Sequence, residues 1–61
     1  MKDWTGKRMR IIFDDLGKVI SKVGTVTFYD PVFVEVETER GVEVIPVNKI
    51  VRMEVVGWWE V

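Results

Sequence analysis

The chain reads as all-β: five strands in a meander, with a short 3₁₀ turn before the last. Three observations predict this. Val, Ile and Thr supply 22 of the 61 residues, and β-branched side chains crowd a helix but suit a pleated strand. There is a single Leu and no Ala, so two strong helix formers are almost absent. Clusters with turn chemistry (DDLG, YDPV, TERG and PVNK) separate the apolar runs at short intervals.

The elements follow in order. Met1 to Gly6 is a lead-in whose Trp4 is expected to cover one end of the core. KRMRIIF alternates as a first strand, with Met9, Ile11 and Phe13 on one face and Arg8, Arg10 and Ile12 on the other. Asp14 to Gly17 supplies short acids that bond nearby backbone and a Gly for a positive φ. The second strand runs from Lys18 to about Tyr29. Val19, Ser21 and Val23 hold one parity, Val26 and Phe28 the other, so the inward face is expected to switch at Gly24. Pro31 ends that strand because it cannot donate to a ladder. FVEVET is the third strand, with Val34 and Val36 inward and Glu35 and Glu37 outward. TERG makes a tight hairpin to VEVI, where Val42 and Val44 are expected to face in. Pro46 to Lys49 suits one 3₁₀ turn. IVRMEVV is the fifth strand, with Val51, Met53 and Val55 on one face, before Gly57 and the closing WWEV.

Length makes the core the problem. At 61 residues this is one domain, and such a domain buries only about 60% of the surface its unfolded chain exposes. Cys and His are both absent, which excludes disulfides and the usual structural zinc sites. An efficient core, self-association or both must compensate. No apolar segment is long enough for a membrane span and no signal-peptide pattern is present, so a cytoplasmic, non-membrane protein is expected. Gln is absent and Asn occurs once, while nearly a third of residues are charged, a bias resembling proteins of hyperthermophiles. The formal net charge of −1 hides an asymmetry: the first 28 residues are basic and the remainder acidic. One half is therefore suited to an anion or to the acidic half of a neighbouring copy.

Five strands with a bent second strand and a helical turn before the last describe a small SH3-like barrel. GTVTFYD (Gly24 to Asp30) and GVEVIPVNKIVRMEV (Gly41 to Val55) resemble two motifs of the Sm-like (LSm) family. These are small five-stranded barrels that assemble into rings on RNA. The resemblance covers roughly half the chain and implies a self-associating, RNA-linked barrel. Two positions depart from it. Where the family has an Asn that contacts a uracil edge, Pro31, Val32 and Phe33 follow the aspartate. Where it has Arg-Gly, this chain has Ile45-Pro46. The uridine pocket is therefore not expected to carry over. GKVISKVGTV and IPVNKI give a weaker resemblance to PRC-barrel domains, which are partner-binding modules.

No catalytic residues, cofactor or metal ligands are expected. His and Cys are missing, Ser21 is the only serine and stands in no motif. Asp14 and Asp15 read as turn residues, since a calcium loop needs several more oxygen ligands. Glu35, Glu37 and Glu43 are expected on one outer face of the third and fourth strands. Lys7, Arg8 and Arg10, with Lys18 and Lys22 opposite, form the best candidate surface for nucleic acid, against a plainer reading as a solvated or subunit-contacting face. Trp58 and Trp59 are adjacent, and in an extended strand they point to opposite faces. Both therefore cannot enter one core. With Ile12, Ile45 and Val56, which lie off the inward parity, they form the expected subunit interface, against readings in which the terminus folds back over its own barrel or offers a platform to a ligand or base. The leading expectation is a homo-oligomer with RNA as a partner by family analogy. The alternative is a solitary adaptor that binds another protein.

Overall fold

The computed structural model describes residues 3–56. Five antiparallel strands form one sheet: β1 (Arg8–Asp15), β2 (Lys18–Tyr29), β3 (Phe33–Thr38), β4 (Gly41–Pro46) and β5 (Ile50–Val55), with a 3₁₀ turn at Val47–Lys49. The spatial order is β4-β3-β2-β1-β5, so the final strand returns beside the first. Among the described residues β4 and β5 are not paired with each other, and the sheet is curled but not closed.

Turn geometry fixes the first register. Two residues, Leu16 and Gly17, join β1 to β2, and both have positive φ, 55° and 90°. That is the conformation whose twist matches paired strands. Asp14 Oδ1 accepts the Gly17 N–H at 2.9 Å, which bears out the turn reading of this acid. Asp15 then faces Lys18, and the ladder places Met9 opposite Gly24, Ile11 opposite Lys22 and Phe13 opposite Ile20. Directly opposed residues share a face, so the inward set on β2 is Ile20, Lys22, Gly24 and Val26.

The face switch therefore does not occur at Gly24. It comes at Thr27, where an extra residue shifts the register between Val26 and Phe28, as a β-bulge does. Tyr29 then becomes the inward residue, opposite Val34. Gly24 has another role. A Cβ there would lie 2.5 Å from the Glu37 carbonyl oxygen and 2.5 Å from Val36 Cγ1, so glycine is what lets β3 lie this close to β2.

The fourth strand also differs from its sequence reading. Glu39 and Arg40 form a two-residue loop between Thr38 and its partner Gly41, which puts Glu43 opposite Val36 and Ile45 opposite Val34. Val34 and Val36 face in as expected, so Ile45 does too. It is 2% exposed, while Val42 and Val44 are 59% and 56% exposed. A loop of two residues always pairs an even position with an odd one here, and the expected inward set of Val42 and Val44 would have required the opposite parity. On β5 a bulge against Ile12 and Phe13 leaves Val51 unpaired and puts Ile50 opposite Phe13. Met53 and Val55 keep their expected inward places, opposite Ile11 and Met9, whereas Val51 is exposed.

The core sits in the concavity: Met9, Ile11, Phe13, Val26, Val34, Val36 and Ile45 are buried, with Trp4, Ile20, Tyr29, Val47, Ile50, Met53 and Val55 packed against them. Trp4 covers the core as expected. Its carbonyl accepts the Lys7 N–H, and the Gly6 N–H donates to the Val26 carbonyl at 2.7 Å. At the β2–β3 connection, Asp30 Oδ1 accepts the N–H groups of Val32 and Phe33 at 2.8 and 2.9 Å. The 3₁₀ turn is tied to that connection by Val47 N–H donating to the Val32 carbonyl.

Candidate functional site

Of the five expected nucleic-acid residues, only Arg8 and Lys22 meet in one cleft. Arg8 and Arg10 lie opposite Thr25 and Val23 on the outer face. Lys22 lies opposite Ile11 on the inward face, and Lys18 stands at the hairpin tip opposite Asp15. The reason is again the two-residue turn: it sets odd residues of β1 against even residues of β2, so Arg10 and Lys22 project to opposite sides. Two of these cations are also engaged. Arg10 Nη1 meets Glu54 Oε1 at 3.2 Å, and Arg52 Nε takes the other Glu54 oxygen at 3.1 Å. Lys22 Nζ meets Glu43 Oε1 at 2.8 Å.

That last pair joins β2 to β4 across the intervening β3. Glu43 therefore does not share an outer face with Glu35 and Glu37; it stands on the inward side beside Val36. The hydrogen bond from Lys22 holds its carboxyl below the ordinary carboxylate range, with a smaller contribution from Thr38. Lys22 and Glu43 line a polar cleft of about 550 Å³ with Arg8, Arg40, Glu37 and Glu39. Three cations against three acids leave this cleft without the excess of positive charge that a phosphate backbone requires.

The interface residues separate as well. Ile12 is half-buried on the outer face, opposite Ser21 and Arg52. Val56 is half-buried and donates its N–H to the Arg8 carbonyl at 3.0 Å, just past the end of β5. Ile45 belongs to the core and presents no surface, which corrects its assignment to the interface. Trp58 and Trp59 lie outside the described residues.

The structure brings out other surfaces instead. Among the described residues seven large apolar side chains are exposed, as many as are buried. Val42 and Val44 stand along the β4 edge and Val51 along the β5 edge. Leu16, the only leucine in the chain, is 99% exposed at the hairpin tip. A cavity of about 290 Å³ is lined by Trp4, Val26, Tyr29, Asp30, Val34, Val47, Ile50 and Met53. Its walls come from the inward face between β3, the 3₁₀ turn and β5. Sequence parity, applied through the two-residue loops, was the signal that would have placed Val42, Val44 and Glu43 correctly. Leu16 had a signal too, since the favoured two-residue hairpin turns place a positive φ at their first residue.

Among the described residues no group of three or more His, Cys, Asp or Glu is placed to hold a metal ion. No helix there is long and apolar enough to cross a membrane. Comparison with protein-family models, curated proteins and solved structures finds no match for this chain.

Proposed function

We propose that this protein is a non-enzymatic structural module, a small barrel of the Sm-like kind that works by self-association in the cytoplasm. The observation that carries this reading is the pair of open sheet edges. β4 pairs only with β3 and β5 only with β1 among the described residues, and the exposed valines at 42, 44 and 51 stand beside those edges. An unpaired edge presents free backbone donors and acceptors, and an apolar edge is a template for another strand. Pairing β4 of one copy with β5 of the next would satisfy both edges. It would also give cover to Met53, which is half-buried on the inward face of β5. Such a contact is heterologous, so it closes into a ring if the rotation permits.

The same association supplies what a 61-residue core lacks. An RNA partner rests on the family likeness of Gly24–Asp30 and Gly41–Val55. The split arrangement of Lys7, Arg8, Arg10, Lys18 and Lys22 adds nothing to it. The test is solution mass by light scattering after size exclusion, at low and high salt. A discrete multimer that persists in high salt is the expected result, and Val44→Pro, which removes an edge donor, is expected to dissolve it. A clean 7.1 kDa monomer at all concentrations would overturn the reading. Nucleic acid co-purifying with the multimer, read from the 260 nm absorbance, would support the RNA partner.

A further inference from the structure

One side of the core is unfinished. Trp4, Val47, Ile50, Met53 and Val55 pack against the buried cluster, yet each is only half-buried. The first four wall the cavity of about 290 Å³. An apolar cavity of about 150 Å³ already holds benzene, so this one has room for an indole. The wall carries one carboxylate, Asp30. Its Oδ1 accepts the Val32 and Phe33 N–H groups, which leaves Oδ2 as an acceptor. An apolar body with a single N–H donor matches such a wall, and the N–H of a buried Trp usually finds an acceptor.

The chain itself leads such a group there. Val55 stands opposite Met9, and the Val56 N–H donates to the Arg8 carbonyl. As it leaves β5 the chain therefore runs antiparallel to β1, toward the lead-in. Lys7 comes next on that course, and then Trp4, whose carbonyl accepts the Lys7 N–H at 3.0 Å. Gly57 to Val61 follow in the sequence. Three extended residues cover about 10 Å, enough to pass Lys7 and draw level with Trp4. Side chains alternate along an extended segment, and Val55 faces in, so positions 57 and 59 share its side. Gly57 has no side chain, which leaves Trp59 as the first that can fill the cavity. Trp58 and Glu60 take the opposite side, and that keeps the Glu60 carboxylate away from Asp30.

We propose that this cavity is the docking site of the chain's own residues 57–61, with the Trp59 indole seated against Trp4, Val47 and Met53 and its N–H directed at Asp30. The segment completes the core of each copy. This goes beyond the self-association reading and does not depend on it, because the contact lies within one chain and holds at any concentration.

The test is nuclear magnetic resonance on the full chain, in a sample that mixes isotope-labelled with unlabelled wild-type molecules. Nuclear Overhauser contacts are expected from the Trp59 indole to the methyl groups of Val47 and Met53 within one molecule. Contacts found only between labelled and unlabelled molecules would overturn the proposal in favour of a neighbour's terminus, and absence of contacts would overturn it outright. Solution mass reports on self-association separately. A second measurement is thermal unfolding at high dilution, where association does not contribute. Trp59→Ala is expected to lower the midpoint by roughly 10–20 °C, and Trp58→Ala by less than about 4 °C. Added indole is expected to restore part of the loss in Trp59→Ala and to leave the wild type unchanged. Equal falls in the two variants, or an equal response of variant and wild type to indole, would also overturn the proposal. If Trp59→Ala fails to fold, the wild-type contacts decide.

Discussion

Replacing Gly24 by Ala tests how tightly the sheet is curled. An ideal Cβ at this position lies 2.5 Å from the Glu37 carbonyl oxygen, 2.5 Å from Val36 Cγ1 and 3.1 Å from Thr38 Cγ2. Favourable separations between carbon atoms begin near 3.5 Å, so Val36 must retreat by about 1 Å. The oxygen contact is worse, because it belongs to the backbone of β3. Thr25 pairs with Glu37 in that ladder, and moving the carbonyl strains the strand pairing. Overpacking of this sort costs about 1–3 kcal/mol. Against it stands a gain of about 0.4–1 kcal/mol from restricting the unfolded chain. Because the oxygen contact is with backbone, the net expectation is a loss of about 1–2 kcal/mol. For a domain of this size, 1 kcal/mol moves the thermal midpoint by about 4–8 °C, so a fall of about 4–16 °C is expected. The assay is thermal unfolding followed by circular dichroism, at matched protein concentrations because association also stabilises. A midpoint unchanged or raised would refute the close approach of β3 to β2 at Gly24.

Ile45→Ala is expected to destabilise by about 2–4 kcal/mol as a cavity-forming change in the core. Val44→Ala is expected to change the stability of the isolated chain by less than about 0.5 kcal/mol; equal effects of the two in urea denaturation would reverse the assigned parity of β4. Glu43→Gln is expected to lower stability at neutral pH by about 0.2–1 kcal/mol, the range for a solvent-accessible ion pair. The sign with pH follows from the depressed folded-state value of Glu43. The unfolded chain takes up the proton at a higher pH than the folded one, so the contribution is complete above the ordinary carboxylate range. It is lost as pH falls through the folded value. Thermal midpoints of wild type and Glu43→Gln should therefore converge in acid, and a gap that persists there would remove the Lys22–Glu43 pair as its cause.

Individual strands were readable because alternation is a local property. Met9, Ile11 and Phe13 alternate with Arg8, Arg10 and Ile12, and the structure buries the first set. Val34 and Val36 follow the same rule. Turn chemistry was local too: Asp14 with Gly17, Asp30 before Pro31, and Pro46 before the 3₁₀ turn each act through their own neighbours. Apolarity misled where both faces of a strand carry it. On β4, Val42 and Val44 compete with Ile45 for the core, and hydrophobicity alone favours the wrong pair. Two-residue loops settle that contest, and their parity was present in TERG and DDLG. The basic residues were misplaced for the same reason, since Lys22 follows the register of its hairpin and not its charge.

By itself, then, the sequence determined the strands, their order along the chain, the turns between them and the absence of His and Cys. Tertiary structure alone decided the bulges at Thr27 and Val51, because a bulge relieves curvature that arises only when several strands pair. It decided the pairing of β1 with β5, which joins residues 37 to 46 positions apart. It placed Glu43 against Lys22 across a third strand, a contact with no local sequence signal. Among the described residues it also left β4 and β5 as unpaired edges. Which strands remain unpaired depends on how far the whole sheet curls, and curl is a property of five strands acting together.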